Sequence, residues 1–291
     1  MYMDISVMTV SIPVDGETLE EIKILVDEAT HVDLINYSRL LNVTELTDYF
    51  LKGFCILVYN DDSDQLVGIL TAIDRLGTID YEWSALVLPS ARKAGIASKM
   101  FQELNRNLEL RGATADIALV PSTATIGQHM LTSNGYSHEI SEITMVANTA
   151  PEQTKSEFEI APFVNEGDEL INVLKSAFGD TQEEAKEMIS FNLQTPNRKL
   201  MLAKQANKVL GTATTVDNQE QLWITGLAVH NDARGKGVAK ALLNWCKHEA
   251  YILGKQQVYL DVETDNDIAL SVYQKQGFQT AAHTLFYRRK N

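Results

Sequence analysis

With only 2 cysteines and 6 histidines in 291 residues, the chain offers neither a disulfide framework nor a zinc site. Cys55 falls in an apolar strand-like run and Cys246 on a helix face, one in each half, and no Cys/His set has tetrahedral-ligand spacing. No apolar run approaches the ~20 residues of a membrane helix. Asp4, Asp15, Glu17, Glu20 and Glu21 stand where an export signal carries basic and apolar residues, so a cytoplasmic protein with no membrane partner is expected. Basic patches interleaved with aromatics are missing, which argues against nucleic acid. A Gly-x-Ser-x-Gly elbow for a hydrolytic serine is missing too.

Apolar residues are not scarce: at 45% they suffice for two cores. The net charge of -14 is unevenly placed, with 9 Lys+Arg against 21 Asp+Glu in residues 1–150 and 16 against 18 in residues 151–291. A field of that sign favours cationic partners such as an amine, and it serves plain solubility equally well.

The most informative stretch is Trp223 to Leu243, an apolar run, a basic glycine turn over Arg234–Ala239 and an amphipathic start from Val238. Strand, turn and helix in that order aim backbone N–H groups and the positive helix end at one point, a place for a pyrophosphate. Gly237 and Ala239 leave room for it. This is no nucleotide P-loop, because Lys236 lies between the glycines and no Ser or Thr follows. The pattern occurs twice. A shift of 142 residues lays Arg92, Gly95, Ala97, Gly112 and Gly135-Tyr136 on Arg234, Gly237, Ala239, Gly254 and Gly277-Phe278. Two similar domains, 1–150 and 151–291, are therefore expected, joined near the polar segment 148–156.

Arg, two residues, Gly, one residue, Ala at 234–239 resembles motif A of the GNAT superfamily of N-acetyltransferases. The run from Tyr259 to Phe278, with Asn266, Ala269, Tyr273 and a closing Gly277-Phe278, resembles the family's motif B. The fold implied is α/β, two tandem GNAT-like domains, each a mixed, mostly antiparallel sheet flanked by helices. Local patterning agrees. In the second half it predicts a strand at Phe158–Ala161, helices at 168–178 and 181–193, and a hairpin of 200–204 and 209–216 across a four-residue turn, Gln205 to Lys208. It continues with a strand at 223–229, a helix from Val238 to Gly254, a strand at 257–262, a helix at 267–276 and a strand at 284–289. In the first half it predicts helices at 22–28 and 43–51, a hairpin of 55–59 and 66–73, and a helix from Ile96 to near Gly112.

From the resemblance follow roles. The backbone of Leu227, Ala228 and Val229 would pair with the pantetheine arm of acetyl-CoA, as an added strand does. Amides of Gly235, Lys236, Gly237, Val238, Ala239 and Lys240 would hold the pyrophosphate, with the cations of Arg234, Lys236 and Lys240 nearby. Tyr273 would protonate the departing thiolate, or else pack its helix onto the sheet. Asn266 would touch the cofactor, or else cap a helix. The corresponding first-half positions are Ala124, Gly127 and Leu131, which marks that half as a degenerate copy. A general base is not assigned: Trp223 and Thr225 stand where relatives carry Glu, while Glu220 and His230 lie just outside the strand. The function implied is acetyl transfer to an amine of a small molecule or peptide. A non-catalytic acyl-CoA sensor and a thiol or hydroxyl acyltransferase are the alternatives.

Overall fold

In the computed structural model, which describes residues 3–75, 77–152, 155–218 and 221–289, the halves repeat one order of elements. The first runs β1 (Ile5–Ser11), α1 (Gly16–Asp33), α2 (Tyr37–Leu40), β2 (Lys52–Asn60), β3 (Gln65–Asp74), β4 (Asp80–Val87), α3 (Ile96–Leu110), β5 (Ala115–Pro121), α4 (Thr125–Ser133) and β6 (Tyr136–Asn148). The second runs β7 (Glu159–Pro162), α5 (Gly167–Phe178), α6 (Gln182–Gln194), β8 (Arg198–Gln205), β9 (Lys208–Asp217), β10 (Leu222–Val229), α7 (Val238–Ile252), β11 (Gln257–Glu263), α8 (Asp267–Lys275) and β12 (Gln279–Arg289). Both halves are α/β with mixed, mostly antiparallel pairing, as the resemblance implies. Among the described residues no helix is long and apolar enough to cross a membrane.

The chain divides into two compact units, and their boundaries are not those of the sequence repeat. Unit one is residues 1–141 with 282–291; unit two is 142–281. The last strand of each half has changed places. In unit one, β12 lies antiparallel on β5, from Thr284 opposite Pro121 to Arg288 opposite Ile117. In unit two, β6 takes the same place on β11, from Gln257 opposite Asn148 to Glu263 opposite Glu142. Alternation along a strand fixes which face is buried and says nothing of the partner, so the cut expected at 150 fell at 141, with the C-terminal strand returned to unit one.

Two local expectations are also corrected. Residues 43–51 form no α-helix; a 3-10 turn at Val43–Glu45 follows Asn42, which sits at φ 51, and Tyr49 and Phe50 are exposed. Val43, Thr44 and Thr47 are β-branched, and nothing buries a continuous face there. The hairpin joining β8 and β9 turns on two residues, with Ala206 at φ 49 and Asn207 at φ 63. Both central residues left-handed is the type I′ geometry that matches strand twist.

In unit two the core lies against α7. Val238, Ala241, Leu242, Cys246 and Ala250, at helical spacing, are buried with Leu222 and Ile224 of β10 and Val258, Leu260 and Val262 of β11. Leu170, Leu174, Ala185 and Ile189 of α5 and α6 bury the other face together with Leu200, Leu202 and Val209. Cys55 and Cys246 are free and buried. Burial pushes both thiols up, Cys55 to about 12.

Candidate active site

The site in unit two begins with a break in strand pairing. β10 and β11 run parallel through three rows, Leu222–Val258, Trp223–Tyr259 and Ile224–Leu260, and pair no further. On its other side β10 keeps β9 to the end, through Ala228–Thr212 and Val229–Gly211, after a register shift between Thr225 and Ala228. Gly226, at φ 57, carries that bulge. The extra residue inverts side-chain parity: Leu222 and Ile224 face α7 before it, Leu227 and Val229 after it. Ala228 joins the α5 side. The edge of residues 227–229 that would face β11 is thus open to an extended ligand.

Beyond the fork the chain turns through a 3-10 segment at Asn231–Ala233 into the glycine loop. Ser176 at the end of α5 holds this segment, its Oγ accepting from Asn231 N at 3.0 Å and its carbonyl from Asn231 Nδ2 at 2.7 Å. Gly235 and Gly237 sit at φ 76 and 90, and no side chain caps α7. A Cβ on Gly235 would meet nothing within 4 Å, and one on Gly237 only Phe158 at 3.9 Å. The amides of Gly235, Gly237, Val238, Ala239 and Lys240 make no backbone hydrogen bond to a described residue, whereas Lys236 N leans on Ala233 O at 3.4 Å. Arg234, Lys236 and Lys240 are exposed, with no ion pair to a described residue. Uncommitted donors beside exposed cations suit a polyphosphate. At Gly211 a Cβ would lie 2.8 Å from Ala228 O and 2.9 Å from Val238 Cγ1, so a glycine is what lets the first turn of α7 seat on β9. Gly68 does the same under Ile96 in unit one.

Tyr273 projects from α8 into the α7 core, 5.9 Å from the Phe278 ring, and is 8% exposed. Its hydroxyl makes no hydrogen bond to a described residue, and desolvation pushes it up to about 12. Such a phenol keeps its proton at neutral pH and has no partner to lose before giving it up. Asn266 caps α8, with Oδ1 accepting from Ala269 N at 3.1 Å. Both roles read from the sequence were open, and the cap is the one seen; its side-chain NH2 makes no bond to a described residue. His230 Nδ1 accepts from Asp232 N at 3.3 Å, a local cap. Glu220 lies outside the described residues.

Unit one repeats the backbone and lacks the chemistry. Lys93 and Gly95 sit at φ 67 and 81, as Gly235 and Gly237 do. Ala124, at φ -85 and ψ 65, copies Asn266 at φ -87 and ψ 65 without a capping side chain. Leu131 is buried in place of Tyr273, and Arg92 is bound to Asp33. That last contact joins residues 59 apart and has no signature in local sequence.

Known proteins with this architecture give it a class. Residues 167–278 match the model of the acetyltransferase (GNAT) family. A GCN5-related N-acetyltransferase from Sphaerobacter thermophilus superposes with a TM-score of 0.73 at 17% identity, over 97% of this chain and 95% of its own. A tandem GNAT protein from the clavulanic acid biosynthesis pathway gives 0.68 at 14% identity, over 97% and 98%. A GNAT-family acetyltransferase from Colwellia psychrerythraea gives 0.57 at 15%, over 98% and 100%. At such identities the likeness is one of fold, and it spans both halves. The chain has a tandem GNAT fold, and its residues 167–278 match the model of the GNAT family.

Proposed function

We propose that unit two transfers an acetyl group from acetyl-CoA to an amine of a small molecule or peptide, in the cytoplasm. The observation that carries this reading is the fork: an open strand edge at Leu227–Val229 leads from an uncapped glycine loop to the point where β10 and β11 part. Amides of 235–240, with Arg234, Lys236 and Lys240, hold the pyrophosphate. The pantetheine arm runs back along β10 as an added strand, with the NH2 of Asn266 a further donor. Tyr273 donates its proton to the sulfur as the amine attacks the carbonyl directly. Unit one binds no cofactor, because its loop arginine is already neutralised by Asp33.

The test is calorimetric titration with acetyl-CoA of the wild type and of Gly237→Glu, which fills the loop and adds a negative charge. One site, lost in the variant, is expected. Two sites would add unit one as a cofactor site, one that survives would move the site there, and no binding would end the transferase reading. An acceptor screen follows, since amide products resist hydroxylamine whereas thioesters do not. Binding without any turnover would instead favour a sensor.

A further inference from the structure

Asp261 stands at the floor of the fork. Ile224 and Leu260 form the last paired row of β10 and β11, so Thr225 and Asp261 are the first residues past it, one on each arm. Parity sets the direction of the side chain. Val258, Leu260 and Val262 are buried under α7, whereas Tyr259 stacks on Trp223 at 5.1 Å on the opposite face, and Asp261 follows Tyr259 by two residues. Directly across on β6 lies Thr144, whose Oγ1 donates to Asp261 Oδ1 at 2.9 Å. Thr144 is 5% exposed, so the bond is shielded, while Asp261 is half-buried and reaches the surface of the fork. Among the described residues of β11 and β6, the other titratable groups of this face are Tyr259 before it, Glu263 after it and Glu142 opposite Glu263.

A ligand with its phosphates at the α7 start and its arm along residues 229–227 points its far end at this row. From Val229 back to Thr225 is four residues, about 13 Å of strand. Tyr273 lies in the α7 core on one side of the sheet and Asp261 faces the other. A proton donor and a carboxylate therefore lie on opposite faces of this sheet.

We infer that Asp261 receives the proton of the attacking amine and that Thr144 is its positioning residue, so the acceptor enters over Trp223 and Tyr259. This rests on the acetyl-transfer reading above. The carboxylate accepts a hydrogen bond from the neutral amine and aligns its lone pair. As the C–N bond forms, the nitrogen becomes cationic and its proton passes to Asp261. As the C–S bond breaks, the sulfur takes the proton of Tyr273. Asp261 then releases its proton to water and Tyr273 regains one from water, leaving an amide and a thiol. Because Thr144 belongs to the strand that the first half contributes, the degenerate copy supplies a working part of this centre.

Methoxyamine, a small amine uncharged at neutral pH, is a suitable probe, with thiol release read at neutral pH and acetyl-CoA affinity read by calorimetry. Asp261→Asn is isosteric, and is expected to keep acetyl-CoA affinity within about twofold while lowering kcat about 100-fold. Asp261→Glu should restore part of kcat. Thr144→Val, an independent variant, should lower kcat several-fold without changing acetyl-CoA affinity, and Thr144→Ser should restore it. An Asp261→Asn enzyme with wild-type kcat overturns this assignment and leaves acetyl transfer standing. A wild type that does not bind acetyl-CoA overturns both.

Discussion

Arg92 and Asp33 form a two-pronged ion pair: Arg92 Nη1 donates to Asp33 Oδ1 at 2.9 Å and Nη2 to Oδ2. The Arg92 guanidinium, with a hydrogen bond from Tyr37, holds the Asp33 carboxyl below its ordinary 3.8. Arg234 occupies the same place in the repeat and is exposed without such a partner. One loop is closed on itself and the other left open.

Asp33→Asn should destabilise unit one by about 1 kcal/mol at pH 7, a modest value because Arg92 is 40% exposed. A lowered carboxyl contributes in full above its unfolded value of 3.8 and loses the contribution as pH falls through the lower folded value. Urea titrations of both proteins should therefore converge in acid. A gap that kept its neutral-pH size as pH fell well below 3.8 would deny the ion pair its role.

Tyr273→Phe keeps the ring against Phe278 and removes only the hydroxyl. Acetyl-CoA affinity and melting temperature should hold, while kcat falls about 100-fold. With the phenol raised to about 12, its neutral form persists through the usual assay range, so no alkaline loss below pH 10 should belong to it.

Gly226→Val tests the bulge. A Cβ there meets nothing within 4 Å, so the cost is backbone strain at φ 57, about 2 kcal/mol for a β-branched residue. A straightened β10 would also turn Leu227 and Val229 to the wrong face. Acetyl-CoA affinity, read by calorimetry, should drop more than tenfold, and unchanged affinity would show that the open edge is not used.

Arg289→Ala tests how β12 is held in unit one. Arg289 Nε lies 3.1 Å from Asp116, and its Nη2 donates to Tyr136 at 2.6 Å and to Asn105 at 2.7 Å. Asp116 also accepts from Trp83 at 2.9 Å and from Tyr136. Removing the cation strands a carboxylate that is 6% exposed, at a cost of about 3 kcal/mol in urea denaturation.

What was legible in the sequence was whatever is local. The glycine loop, the apolar stripe of α7 and the Tyr273 position each sit within one stretch, and the structure puts them on the elements expected. Residues 43–51 carry apolar side chains at helical spacing but have no surface to bury them, since Tyr49 and Phe50 stay exposed, and the helix does not form. The bulge at Gly226 leaves only a glycine in an apolar run. Asp33–Arg92 and Thr144–Asp261 are long-range pairs whose members look ordinary alone, since one carboxylate among 39 acidic residues carries no mark. Strand pairing is the least readable, because alternation is the same whichever neighbour accepts the edge.

The exchange of β6 and β12 also sets a schedule. A ribosome making this chain finishes residue 148 early, so the strand that will lie on β11 waits on an unfinished product for its partner. Unit one, though translated first, lacks the strand that pairs with β5 until Arg289 has left the exit tunnel. The part made first is completed last, and a message truncated before the codons of β12 would leave it with the raw edge of β5.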